Sequence, residues 1–167
     1  MTGPDATGAG DRPPAPHLHE ASALALPPAT LYAILRLRSE VFVVEQDCAY
    51  LDLDGRDLEP DATWLWAESA GRIRATLRLL WDSPDTARIG RVATAPDARS
   101  AGLAGRLMDR ALELARARPA RTVVLDAQSP LVGWYARYGF EPAGPEYIED
   151  GIAHVPMART YPDRHGH

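Results

Sequence analysis

The chain has 167 residues, enough for one domain with a proper core and too few for two of ordinary size. Apolar residues make up 46% and charged residues 25%, as in globular proteins, and no apolar run is long enough to span a bilayer. A net charge of −5 speaks against nonspecific binding to nucleic acid, and the single cysteine, Cys48, excludes an internal disulfide.

Residues 1–16 are rich in Gly, Pro and small polar residues, with neither the basic start nor the apolar centre of a secretory signal. They read as a disordered tail before a domain over 17–160, with a second flexible tail at 161–167. Cys48 fits a buried structural thiol in a reducing, cytoplasmic setting. His17, His19, His165 and His167 sit near the chain ends without partners at metal-ligand spacing, so no metal site is expected.

Residues 17–25 read as an edge strand. From Pro27 to about Val44, Leu31, Ile34, Leu35, Leu37, Val41 and Phe42 recur at mostly helical spacing behind a Pro-Pro start. Residues 45–62 are acidic and turn-rich and read as a long connection; their Asp52-x-Asp54-Gly55 lacks the later ligands of a calcium loop and is assigned to turn chemistry. Strands follow at Trp64–Glu68 and Arg72–Trp81, joined by Ala70-Gly71. In the second, Ile73, Ala75, Leu77 and Leu79 alternate with Arg72, Arg74, Thr76 and Arg78, and that arginine row reads as a solvated face, with part of it lining a substrate cleft as the alternative. Arg88–Thr94 is the next strand, after a turn at Asp82–Asp85. A helix from Gly102 to about Arg118 carries Leu103, Leu107, Ala111, Leu114 and Ala115 on one side and stops at Pro119. Thr122–Ala127 reads as a buried parallel strand. A short helix at Pro130–Tyr138 and strands near Phe140–Tyr147 and Ala153–Arg159 give the order βαβββαβαββ.

The most informative stretch is Ile89 to Gly105. An apolar strand stops at Pro96, a polar turn follows, and Arg99-x-x-Gly102-x-Ala104 opens the long helix. The first N–H groups of a helix lack partners, the helix dipole adds partial positive charge, and turn amides form a concave nest, so the stretch is suited to an anion. Gly102 and Ala104 leave room for a diphosphate against the backbone. A triphosphate-binding loop is excluded, because no Gly-Lys-Ser/Thr follows.

With Arg99-x-x-Gly102-x-Ala104 after the third antiparallel strand and Trp134-Tyr135-Ala136-Arg137-Tyr138-Gly139-Phe140 at the last helix, the chain resembles the GNAT superfamily of acyl-CoA-dependent N-acyltransferases over roughly residues 18–160. Within it the chain looks most like the ElaA-type branch, echoed by residues 37–46, 52–57 and 149–154, which cover the acceptor region of related folds. Trp64 stands where relatives tend to show His, so no imidazole role is carried over to that position, and Thr94 replaces a common aliphatic residue.

The resemblance implies an α/β (α+β) fold: a mixed, mostly antiparallel central sheet with helices on both faces and a splayed parallel strand pair at the coenzyme cleft. It implies acetyl-CoA as acyl donor and an amine as acceptor, with the pantetheine held by backbone at Val92, Ala93 and Thr94. The diphosphate would rest on amides of Arg99, Ser100, Ala101, Gly102, Leu103 and Ala104, with the Arg99 side chain adding charge and Gln128 and Tyr135 completing the site. It places Tyr135 as the acid that protonates the departing thiolate; the competing role is packing of the last helix. Glu45, at the end of the first helix, is a candidate to attract and relay the ammonium proton, and a solvated surface acid is the competing reading. His154 suits proton transfer as an imidazole, against a structural role, and Asp126 is a third candidate that otherwise caps the next helix. The expected activity is N-acetyl transfer from acetyl-CoA to a primary amine by direct attack, in a monomer or homodimer. The alternative is a non-catalytic acyl-CoA-binding sensor on the same fold. The acidic loop 45–61 hints at a cationic acceptor.

Overall fold

The computed structural model describes residues 14–163. The expected N-terminal tail lies mostly outside that range, as does the end of the C-terminal one; Tyr161 is tied down, its N–H donating to the Arg121 carbonyl. Eight strands form one sheet in the order β1-β2-β3-β4-β5-β8-β6, with β7 also on β8. They are β1 His17–Ala21, β2 Thr63–Ser69, β3 Arg72–Ser83, β4 Thr86–Thr94, β5 Thr122–Gln128, β6 Glu141–Pro142, β7 Tyr147–Glu149 and β8 Ile152–Thr160. The helices are α1 Pro28–Ser39, α2 Leu103–Ala117 and α3 Val132–Ala136. The β4–β5 pair is parallel and the other pairs are antiparallel, which bears out the mixed, mostly antiparallel sheet.

Strand alternation sorts the core into two layers. Leu65, Ala67, Ala75, Leu77 and Leu79 join Leu107, Met108 and Ala111 of α2 in the main core. Trp64 and Trp66 point the other way and pack on Ile34 of α1. The first helix has the expected extent but changes winding: after Ser39 it continues as a π-helix over Glu40–Glu45. Such wide turns are uncommon and frequent at functional sites.

The expected strand at 140–147 is two short pieces, β6 and β7. Pro142 and Pro145 cannot donate to a ladder, and between the Ala143 N–H, which donates to the Pro156 carbonyl, and Tyr147, which pairs with His154, residues 144–146 face Val155 alone, so the ladder is broken there.

The arginine row on β3 is corrected. β3 is covered on both faces, so Arg78 is buried and Arg74 largely so, its guanidinium 3.0 Å from Asp97. Arg72 alone of the row is well exposed.

Candidate active site

β4 and β5 part company by construction. Their parallel register runs only from Thr86↔Thr122 to Arg88↔Val124. Immediately after, two residues of β4 oppose one of β3 between the Arg78↔Gly90 and Thr76↔Ala93 pairs, and Arg91 takes a left-handed φ of 52°. This bulge bends β4 away from β5. The Ala95 N–H donates to the Arg74 carbonyl of β3, so alternation turns the main chain of Val92 and Thr94 toward the gap and that of Ala93 toward β3. The gap opens into a cleft of about 1760 Å³ lined by residues from α2, α3, β4, β5, β8 and the loop after α1.

At one end of the cleft lies the Arg99–Ala104 turn. Ser100 and Gly102 both have positive φ, 71° and 75°, and no side chain caps the first turn of α2. The amides at the start of α2 are therefore directed at one concave spot, which fits an anion. Leu103 sends its side chain into the core and offers only its main chain. Arg99 does not reach toward that spot freely: its guanidinium donates to the Thr94 carbonyl, 3.2 and 3.3 Å, and to Glu45, 2.5 Å. Glu45 is correspondingly held below the usual carboxylate range by the Arg99 hydrogen bond, which makes it a poor proton acceptor.

Tyr135 belongs with Leu125, Ala127 and Phe140 on the α2 side of the sheet and meets Trp134 and Phe140 edge-on, with ring centroids 4.9 and 6.3 Å apart. Burial pushes its phenol up to about 12. His154 lies on the other face, opposite Gln128 in the β5–β8 register, stacked on Tyr147 at 5.6 Å. Its Nδ1 is 2.8 Å from the Ile152 carbonyl, a partner that needs a donor there and so leaves Nε2 as the acceptor. The Gln128 amide donates to Gln46 at 3.2 Å and links the end of β5 to the end of the π-helix.

Asp126 is neither buried nor a helix cap. Its carboxylate is 2.8 Å from Arg88, on the same face as His154. The acidic loop is corrected too. Arg38, 2% exposed, donates to Asp57 at 2.7 and 3.2 Å and to Asp52 at 2.9 Å. Arg78 holds Asp54 at 2.6 and 2.8 Å and Asp57 at 3.2 Å, and Arg91 reaches both Asp52 and Asp54. Three arginines thus neutralise Asp52, Asp54 and Asp57, and these three offer no spare charge to an acceptor. Tyr50 joins this cluster by donating to Asp52 at 2.9 Å.

A sequence model described as an acetyltransferase (GNAT) domain matches residues 37–161. The chain belongs to the GNAT acetyltransferase family. It is 45% identical over 133 residues to a UPF0039 protein of Mycobacterium tuberculosis, covering 77% of this chain and 83% of that one. Over 132 residues it is 39% identical to the protein ElaA of Escherichia coli, covering 77% and 86%. Among solved structures, an acyl-CoA N-acyltransferase from Pseudomonas aeruginosa superposes with a TM-score of 0.82 at 40% identity, covering 87% of this chain and all of that one. The crystal structure of E. coli ElaA gives 0.81 at 35% identity, covering 87% and 99%. The ElaA-type branch expected from residues 37–46, 52–57 and 149–154 is borne out.

In this GNAT protein those three stretches meet around one opening. The π-helix and the following loop face β7 and β8, and the Cys48 thiol donates to the Asp150 carbonyl at 3.3 Å. Trp64 is buried under the Arg38 guanidinium, its indole donating to the Asp57 carbonyl at 3.1 Å, so it builds the scaffold rather than the cleft. Sequence reading missed the Arg38–Arg78–Arg91 cluster. The clue was three aspartates in a loop facing a strand whose polar positions were arginine.

Proposed function

We propose that this protein transfers the acetyl group of acetyl-CoA to a primary amine, with the two substrates entering from opposite faces of the sheet. The observation that carries the reading is the β4–β5 gap itself, with an uncapped, left-handed turn at one end and an imidazole nitrogen at the other. A pantetheine arm extended along Val92–Thr94 would pair with main-chain groups that β5 leaves free, while the diphosphate takes the amides at Ser100–Ala104.

The amine nitrogen attacks the thioester carbonyl, the carbon–sulfur bond breaks, and the sulfur leaves as thiolate. His154 Nε2, on the acceptor face, takes the proton the nitrogen must lose. Tyr135, on the coenzyme face, donates to the thiolate. Against a thiol of ordinary acidity near 8.5, full transfer from a phenol at 12 is uphill by about 5 kcal/mol. A thiolate emerging in the same desolvated gap is also made more basic, which narrows that difference. Glu45 serves in this scheme to hold Arg99 against Thr94 and so to shape the turn. With Asp52, Asp54 and Asp57 neutralised, Glu149 and Asp150 at the β7–β8 turn line the cleft beside His154 without an ion pair among the described residues, and they favour a cationic amine.

The test is release of free thiol from acetyl-CoA in the presence of a panel of primary amines. Thiol release that needs both an amine and the protein supports transfer. Binding of acetyl-CoA with no release across the panel favours the sensor reading instead.

A further inference from the structure

Nearly every arginine in this lysine-free chain is matched. Among the described residues, each pairs with a carboxylate, an aromatic ring or a carbonyl, except two: Arg106 and Arg137. Both line the cleft. They come from different elements, Arg106 from the first turn of α2 and Arg137 from the end of α3, and a close approach brings those elements together. A Cβ on Gly105 would land on the Tyr138 hydroxyl, so the residue before Arg106 touches the residue after Arg137. Asp109, three residues beyond Arg106, lines the same cleft and makes no ion pair with it.

Two exposed, unpaired guanidiniums on touching elements of one cleft, close to the positive end of α2, make a cationic patch that an anion relieves. The diphosphate is already served by the turn amides at 100–104, so the pair is set for a second phosphate beyond it. Coenzyme A carries one: a 3′-phosphate monoester on the same ribose whose 5′ oxygen bears the diphosphate. Such a group has nearly two negative charges at neutral pH and matches the planar donor fork of arginine.

We propose that Arg106 and Arg137 form a subsite for the 3′-phosphate of coenzyme A, and that through it the protein prefers coenzyme A over its 3′-dephospho form. The proposal rests on the coenzyme reading above. It concerns affinity for the nucleotide end of the ligand and not the chemistry at the thioester. No bond is made or broken; the guanidiniums bind and orient.

The experiment is calorimetric titration of the full-length protein with coenzyme A and, separately, with 3′-dephospho-coenzyme A, for wild type, Arg106→Gln, Arg137→Gln and the double variant. The wild type is expected to bind coenzyme A roughly tenfold or more tightly than the dephospho form, as charge-assisted hydrogen bonds allow. Each single variant shrinks that ratio. The double variant brings it near one, by weakening coenzyme A and leaving the dephospho form unchanged. Arg110→Gln, whose guanidinium is held by Glu20 and Glu113, keeps the wild-type ratio. A wild-type ratio near one, or a double variant that keeps the full preference, overturns the subsite. So does an equal fall in Arg110→Gln, which makes the effect one of general charge. Failure of both ligands to bind any variant or the wild type overturns the coenzyme reading itself, and the subsite with it, and is told apart by the missing dephospho signal.

Discussion

Tyr135 and His154 stand on opposite faces of one sheet, on either side of the gap that opens past Arg88 and Val124. In the proposed reaction, the proton leaving the amine and the proton reaching the sulfur are therefore handled by groups that the sheet keeps apart, and removing one leaves the other in place.

Tyr135→Phe keeps the edge-on packing against Trp134 and Phe140 and deletes only the hydroxyl. Turnover should fall roughly a hundredfold, within the usual range for losing a general acid, with the affinity for acetyl-CoA unchanged. Because burial raises the phenol to about 12, the protonated form persists as pH rises past the ordinary value near 10 and is lost only around the raised one. The wild-type turnover should thus show no alkaline decline from this group below about pH 11. Steady-state kinetics of both proteins check this; undiminished turnover in the variant removes Tyr135 from the reaction.

His154→Gln preserves a polar side chain on the acceptor face and removes the basic nitrogen. The expectation is a loss in kcat of about a hundredfold with little change in acetyl-CoA binding. The measurement is the same thiol assay at saturating amine, and a variant that differs only in amine KM assigns His154 to acceptor binding rather than proton transfer.

The buried cluster under the 46–62 loop carries a stability cost if broken. Asp57→Asn leaves Arg38 and Arg78 each short of a charge partner in a site almost closed to water. Removing one member of a buried pair typically costs about 3 kcal/mol or more. Urea unfolding of the two proteins reads this directly, and a change within about 0.5 kcal/mol, the range of an ordinary surface substitution, contradicts it.

The same cluster sets an acid limit. Burial pushes the Asp54 carboxyl up, but hydrogen bonds from Arg78 and the Arg56 amide outweigh it and hold it well below the usual range. Asp82 is likewise lowered, by Arg56 and Arg88 against burial. A carboxylate whose value is depressed on folding contributes stability above its unfolded value, near 3.9, and loses it as pH falls toward the folded one. Thermal melts should be nearly flat from neutral pH to about 5 and fall below about 4. Asp54→Asn should flatten that fall, and an equally steep acid decline in the variant places the sensitivity elsewhere.

Much of this was legible in the residues. The order of strands and helices followed from alternation in 72–79 and helical spacing in 103–115, and Arg99-x-x-Gly102-x-Ala104 located the uncapped turn at the end of the cleft, where Gly102 has a positive φ. What the sequence hid was tertiary. Alternation of arginine with apolar residues on β3 looks the same whether the polar face meets water or a loop of aspartates, and only packing by α1 and the 46–62 loop decides it. The turn-rich composition of 45–62 likewise conceals that Asp52, Asp54 and Asp57 are spent internally. The π-helix at 40–45 left its trace in the run Val41-Phe42-Val43-Val44, which breaks the helical period without a helix breaker. The bulge at Arg91 had only the adjacent Gly90 as a signal, yet it creates the gap on which the site depends.

In the proposed function this gap, with the left-handed turn at its end, takes an acyl-CoA thioester through main-chain contacts. Calorimetric titration of the full-length protein with acetyl-CoA tests it most directly. One binding event per chain is the predicted result; no heat at any concentration, from protein shown to be folded, contradicts it.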